Sequence, residues 1–385
     1  MSRTRDLGKI ISGNFDVPAT ALDNAATAVN TNVSTLAITR SNISDLGTAA
    51  LSNRNLIING KCSVNQRGNN TGTNSVTGPD RFFIHSNNPS GHVIESSNQK
   101  DGPSGFDNCF QYKTTAAVTS PAADMYTGFA HKFEVQDVIP YIWSGASHVT
   151  ASFWVKSSIA GTFTFNINPE EATGGGSADR ILYESTYTIN STNTWEYKTI
   201  TIPLSFLSSY ALLSSHTDNN TGLEITWPLD IISGGNRTNI TAGWNTPASE
   251  ARNMVTSTGG STGFFTTVNS TFRITGIQFE VGDTATPFEH RSYGDELVKC
   301  QRYYEEPNGS ARVGDPSSGT YSVQYNYIVT KRATPTISTT TEGTRVGVSS
   351  HGIQSNNLNN CAEQVAVTAS LNYVYSAKVK ADAEL

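Results

Sequence analysis

Apolar and polar residues alternate along most of this chain with a period of two. "ASFWVKSS" (151–158) puts Phe153 and Val155 on one face and Trp154 and Lys156 on the other. "GTFTFNI" (161–167) gathers Phe163, Phe165 and Ile167 on one face, and "TWEYKTITIPLSF" and "TFRITGIQFEV" alternate likewise. Such alternation marks a strand with one face buried and the other wet or half-covered. Gly- and Asn-rich loops separate these runs, for example "EEATGGGSADR" and "ISGGNRTN". Many strands with no helical period between them predict an antiparallel β-sandwich over residues 55–291, and a jelly roll within that class.

The two ends read differently. Residues 1–54 begin as an extended arm. Then Leu22, Val29, Leu36 and Ile43 recur every seven residues, with Ala26 and Val33 four after the first two. These are the d and a positions of a short heptad pattern. Pro18 and Thr20 suit its entry and Gly47 its stop. Many Thr, Asn and Val residues make it a poor lone helix. It is expected to bundle with copies of itself as a trimer stalk or to dock on a partner. A single helix packed on its own domain is the other reading.

Residues 292–385 form a third region. "SYGDELVKCQRYYE" places Leu297, Cys300 and Tyr304 at helical spacing, which predicts a helix of one to three turns. Alternating runs then predict a small C-terminal β domain, from "TYSVQYNYIVT" to "YVYSAKVKADAEL". Pro287 sits just before the change of pattern, so the stretch from Gln278 to Glu305 reads as a hinge at a domain boundary. The fold class expected is mainly β, with an N-terminal helical arm, an antiparallel β-sandwich and a small C-terminal β domain.

Composition sharpens this picture. Charged residues are 15% of the chain, against about a quarter in ordinary globular proteins. Ser, Thr, Asn and Gly take their place, a mix that suits β structure with many turns. Low charge also lets large subunit interfaces form without desolvating ions. The net charge is −6 and the 26 Lys and Arg residues are scattered, so no nucleic-acid partner is expected. The first twenty residues hold no apolar run of signal-peptide or membrane-spanning length. Export by the general route and membrane insertion are therefore not expected. A virion released by lysis would carry such a protein out of the cell.

The chain lacks GxSxG, HExxH, P-loop and GxGxxG motifs. Cys62, Cys109, Cys300 and Cys361 are too widely spaced for a zinc site. They read as buried free thiols, with a Cys62–Cys109 bridge left open. The seven histidines show no metal spacing, and His290, between Glu289 and Arg291, reads as a salt-bridged hinge histidine. No catalytic residue, metal or cofactor is expected. A polysaccharide-cleaving protein would need paired carboxylates across a cleft. The acids available include Glu170, Glu171, Asp179, Glu184, Glu224 and Asp230, and the first two read as solvated charges in a Gly-rich loop.

Sugar binding needs exposed aromatic planes with Asn, Asp or Arg beside them. The candidate platforms are Trp143, Trp154, Trp227 and Trp244, each of which core packing would also explain. Seven tyrosines of the last region (Tyr303, Tyr304, Tyr321, Tyr325, Tyr327, Tyr373, Tyr375) suit either a subunit interface or packing within the domain.

Six blocks carry a family resemblance: "NLIINGKCSVNQRG" (55–68), "GPDRFFI" (78–84), "SFWVKSSIAGTFTFNI", "NTWEYKTITIP", "ITGIQFEVGDTATPFEHRSYGDELVKCQRYY" and "AKVKADAEL". In this order they resemble tailed-bacteriophage tail fibres and related virion proteins, in which a carbohydrate-binding-module-like jelly roll precedes a C-terminal β domain. The resemblance covers most of the chain from residue 55 onward, and its most specific block runs from Gln278 to Tyr304. It implies a homotrimeric virion protein, attached through its N-terminal arm to tail or baseplate proteins and touching host glycans distally. A purely structural head-fibre, collar or baseplate protein, or a polysaccharide-degrading tailspike, are the alternatives. Tailspikes of that kind have repeated β-helix rungs, and no rung period is visible here.

Overall fold

The computed structural model describes residues 53–88, 91–138, 146–169, 181–205, 219–232, 242–245, 262–314, 319–340, 345–368 and 372–385. Outside these lie the expected stalk residues Leu22, Ala26, Val29, Val33, Leu36 and Ile43, together with Trp143, Glu170, Glu171 and Asp179. Residues 53–385 form one compact unit.

Two antiparallel sheets make the sandwich. The first contains, in spatial order, β1 (Asn70–Gly72), β4 (Val93–Gln99), β5 (Cys109–Ala116), β13 (Thr271–Val281), β7 (His148–Ser157) and β10 (Glu196–Pro203). The second contains β12 (Gly243–Asn245), β9 (Leu182–Ile189), β8 (Gly161–Pro169), β11 (Thr221–Ile231), β6 (Tyr126–Glu134), β3 (Phe82–Asn87) and β2 (Val76–Thr77). The chain crosses between the sheets repeatedly, as a jelly roll does: β4 and β5 lie in one, β6 in the other, β7 back in the first.

The alternating pattern explains the core. Phe153 and Val155 of β7 face Phe163, Phe165 and Ile167 of β8 across the sandwich, and all five are buried. Phe110 and Phe129 meet edge-on at 4.5 Å, a favoured aromatic geometry. Each such side chain contributes about 1.5–3 kcal/mol on burial.

A short helical turn, α1 (Val135–Val138), follows β6. The second helix, α2 (Tyr293–Gln301), is capped by Ser292, whose hydroxyl accepts the Asp295 N–H at 3.1 Å. Asp295 and Glu296 in its first turn and Lys299 in its last oppose the helix dipole. Cys300 is buried on it, but Tyr304 lies beyond its end, in β14 (Tyr304–Glu305). Strands β14, β15 (Asn308–Gly314), β17 (Thr336–Thr340) and β18 (Arg345–Val346) all pair with the long β21 (Asn372–Asp382). A separate three-stranded sheet runs β16 (Gly319–Asn326), β20 (Asn360–Val367), β19 (Val348–Asn356). Tyr325, Cys361, Val365, Tyr375 and Val379 are buried between these sheets. Tyr303, Tyr304, Tyr325 and Tyr375 thus pack inside the chain, because their rings fill its own core.

The stretch from Gln278 to Glu305 is held firmly on both sides. Asn55 uses its amide to bind the Ile277 carbonyl at 3.1 Å and accepts the Phe279 N–H at 3.0 Å. Glu289 accepts the Asn55 N–H at 2.8 Å. Arg291 donates to the Ile57 carbonyl at 2.9 Å and pairs with Glu289 and Glu296 at 3.3 and 3.5 Å. His290 is not the salt-bridged residue expected. It forms no ion pair among the described residues and lies exposed against the Phe288 and Phe106 rings. Its flanking charges take the ion pairs because alternation turns them inward together.

Candidate glycan-binding surface

The outward face of the first sheet carries a row of aromatic side chains. On β7, alternation that buries Phe153 and Val155 turns Trp154 outward, half-exposed. Its register partner on β10 is Tyr197, which is 44% exposed. The two ring centroids are 5.3 Å apart. On the other side Trp154 pairs with Thr275 of β13, where the register shifts before Gln278. That bulge contains Gly276, at φ +60°. A Cβ there would lie 2.7 Å from Phe106 Cζ and 3.1 Å from Trp154 Cδ1. Only glycine leaves room for both aromatic rings against the backbone here. Phe106 continues the row to Phe288 at 5.0 Å and His290 at 5.4 Å. Tyr197, Trp154, Phe106 and Phe288 thus form a partly exposed strip, with half-buried Trp195 near it across Lys156.

Polar groups flank the strip. Lys156 and Arg273 are register partners, and Arg273 is also paired with Gln111 on β5. Lys156 Nζ donates to Asp101 Oδ2 at 3.0 Å, and Arg273 pairs with the same oxygen. Arg273 Nε donates to Gln111 Oε1 at 2.7 Å. The Lys156 hydrogen bond outweighs burial and holds the Asp101 carboxyl below its usual range. On the other face of β10, where Glu196 and Lys198 oppose Val155 and Phe153 in register, Glu196 accepts from Lys198 at 2.7 Å and from the Asn190 and Ser191 N–H groups at 2.8 and 2.9 Å. Burial raises the Glu196 pKa, but these bonds bring it down to about 2. On the strip's own face the Asp101 carboxylate holds two cations, Lys156 and Arg273, so that face presents bonding groups without a strong excess of either charge. Flat aromatic faces with paired donors and acceptors beside them suit the apolar face and hydroxyl rim of a sugar ring.

The other tryptophans are placed differently. Trp227 is 1% exposed, wedged between Phe153 and Phe165 at 5.7 and 5.5 Å. It is a core residue and no platform, because on β11 it shares the inward face with Leu223, Ile225 and Leu229. Trp244 lies on the edge strand of the second sheet, opposite Tyr183 at 5.2 Å, and its Nε1 donates to the Pro203 carbonyl at 2.6 Å. The structure therefore does not bring Trp154, Trp227 and Trp244 to one surface. Tyr197, Phe106 and Phe288 are additions. Alternation in "EYKTITIP" contains the signal for Tyr197, since Ile200 and Ile202 face inward. The two phenylalanines sit in loops without a period.

Among the acids, Glu184, Glu224 and Asp230 are buried on the second sheet. Asp230 ties a loop by accepting the Thr262 and Phe265 N–H groups at 3.0 and 2.9 Å. Glu224 Oε1 is 3.7 Å from His85 Nδ1. No group of three metal-ligating side chains occurs among the described residues. All four cysteines are buried and free, so the open question of a Cys62–Cys109 bridge resolves to thiols.

No family model matches the chain, and no curated protein does. Among solved structures, it is similar to the family 11 carbohydrate-binding module of the cellulosomal cellulase Lic26A-Cel5E of Clostridium thermocellum, at 16% identity over 55% of this chain and 91% of that one, with a TM-score of 0.26. The CBM22-2 xylan-binding domain of Paenibacillus barcinonensis Xyn10C gives 13% identity over 52% and 91%, at 0.27. The K1 cleaved adhesin domain of Lys-gingipain from Porphyromonas gingivalis W83 gives 9% over 56% and 99%, at 0.24.

Proposed function

We propose that this chain is a non-enzymatic bacteriophage virion protein, a trimeric tail fibre whose sandwich contacts host-surface glycans through the strip centred on Trp154 and Tyr197. The observation that carries the binding part is that strip: register-paired aromatics, partly exposed on one sheet face, with Asp101, Arg273, Lys156 and Gln111 beside them. The virion part is supported by the ordered blocks from Asn55 to Leu385 and by the heptad positions Leu22 to Ile43, which would dock the arm on tail or baseplate proteins and start the trimer. Three copies of a weak sugar site gain avidity without new contacts.

The test is a glycan array probed with the purified full-length chain and with the Trp154→Ala/Tyr197→Ala variant. Binding that falls at least about tenfold in the folded variant supports the platform. Binding that survives the double substitution removes it. A folded chain that binds no glycan leaves the purely structural virion role.

A further inference from the structure

We infer that the groove between the sandwich and the β21 sheet is a second saccharide site, built for an acidic sugar. It shares no residue with the strip around Trp154 and goes beyond it. The groove encloses a cavity of about 450 Å³, within the range of small-ligand sites. Its floor is the outer face of the β21 sheet. Val379 and Ala381 of β21 and Ile337 of β17 pack on the C-terminal core, so alternation turns Lys380, Asp382, Thr336 and Ser338 to the other face. Lys380 and Ser338 are register partners there, and so are Asp382 and Thr336. The wall comes from the sandwich: Arg67, with Asn70 of β1 and Thr77 of β2.

The charges around this cavity cancel, except one. Arg67 pairs with Asp382 and Glu384, and Arg81 with Glu384. Nearby, Glu306 takes Lys378 and the Tyr304 hydroxyl. Lys380 is left over. It is half-buried and makes no ion pair or hydrogen bond among the described residues. The side-chain hydroxyls of Ser338, Thr336 and Thr77 make none there either. One uncommitted ammonium thus stands among uncommitted hydroxyls, with neutralised carboxylates beside them.

That arrangement fits a polyhydroxylated ligand with a single negative charge. No aromatic plane is open for stacking, because the Arg67 guanidinium covers the buried Tyr304 ring at 3.9 Å. Recognition here is therefore polar. One surplus positive charge matches one carboxylate, in a charge-assisted bond. A phosphate dianion fits worse. Its second charge would face Asp382 and Glu384, and the Arg67 fork that suits phosphate is occupied by Asp382. A uronic acid or another carboxylated sugar has the matching groups. Its carboxylate would meet Lys380, and its hydroxyls would bond Ser338 and Thr336 and donate to Asp382.

The test is a glycan array carrying uronic-acid and sialic-acid oligosaccharides beside the same glycans reduced at the carboxyl to neutral sugars, probed with the purified full-length chain. The acidic forms are expected to bind about tenfold or more tightly than the reduced ones. Lys380→Met leaves no partner unpaired, and is expected to erase that preference with near-ultraviolet circular dichroism unchanged. Lys113→Met removes the same charge from β5, outside the cavity, and should keep the preference, as should Trp154→Ala/Tyr197→Ala. Equal binding of acidic and reduced glycans overturns the site. So does a preference that survives Lys380→Met, or one that Lys113→Met weakens as much. If the Trp154→Ala/Tyr197→Ala variant binds every glycan as the native chain does while the preference still depends on Lys380, the strip falls and the acidic site stands.

Discussion

The Arg81 guanidinium lies 3.5 Å from the centre of the Tyr303 ring and pairs with Glu384 beyond it. Arg67 repeats the device one residue on, 3.9 Å from the Tyr304 ring and paired with Asp382 and Glu384. Tyr303 in turn donates to Glu134 at 2.6 Å, and Arg302 grips both oxygens of that carboxylate at 2.8 Å. Sandwich, helix α2 and the end of β21 are therefore stitched through two stacked arginines. Arg81 is fully buried, so Arg81→Ala removes packing as well as a charge. We expect it to lower stability by about 2–3 kcal/mol in urea titration, reduced from the fully buried case because Glu384 keeps Arg67 and some water. Glu384→Gln should cost less than half of that.

Trp227 and Trp154 offer a direct contrast on one fold. Trp227→Ala empties a site walled by Phe153 and Phe165 and should cost about 3–5 kcal/mol. Trp154→Ala removes a half-exposed ring and should cost about 1 kcal/mol while weakening sugar binding. Thermal unfolding beside glycan affinity reads both. Equal destabilisation would mean that the strip is structural.

How far the sequence foretold this can be judged from these two residues. Alternation placed Trp154 outward and Phe153 inward, because a strand's side-chain period is two and the structure obeys it. The same rule applied to "GLEITWPLDI" buries Trp227 on the face of Leu223, Ile225 and Leu229. Contacts between distant segments were not legible. Nothing local links Phe106 to Phe288, or Arg81 to Glu384, since such pairs follow from topology. The helix has the expected one to three turns, but Tyr304, although at helical spacing in the sequence, lies beyond it, because the chain leaves the helix at Arg302 and Tyr304 enters a ladder with Asp382.

Glu363 should make the C-terminal sheets sensitive to acid. Its carboxylate is fully buried and accepts from Tyr375 at 2.7 Å, Tyr325 at 2.8 Å and His351 at 2.5 Å. Burial pushes its pKa up, but these hydrogen bonds pull harder, and it ends below the ordinary value. A depressed folded pKa gives stability that is complete above the unfolded value, about 4.3, and lost as pH falls through the folded one. Tyrosine near-ultraviolet circular dichroism should therefore decay in that acid range. In Glu363→Gln the decay should lose its acid-dependent component, and an unchanged profile would assign it to other carboxylates.

The thiols should be silent in the native chain. Burial raises all four, Cys109 to about 12 and Cys62 further, with the neighbouring Cys109 adding to the effect. The thiolate is the reactive form. Alkylation at pH 8 followed by intact mass should show no adduct until denaturant is added. Rapid labelling of one cysteine would place it at the surface.

Gly276 is the single position on which the aromatic strip depends most. Its φ of +60° lies in the left-handed region, and a Cβ would strike the Phe106 ring at 2.7 Å before it met Trp154. An alanine there carries both a backbone penalty and a steric one, together about 1–3 kcal/mol. Phe106 sits in a loop, so it can move away more readily than Trp154, which is held in the sheet between Thr275 and Tyr197. Displacing Phe106 would uncouple it from Phe288 and His290 and break the strip in two. Gly276→Ala is therefore expected to reduce affinity for long oligosaccharides more than for single sugars, because the Trp154–Tyr197 pair survives. Equal losses on long and short ligands would mean that Phe106 and Phe288 take no part in binding.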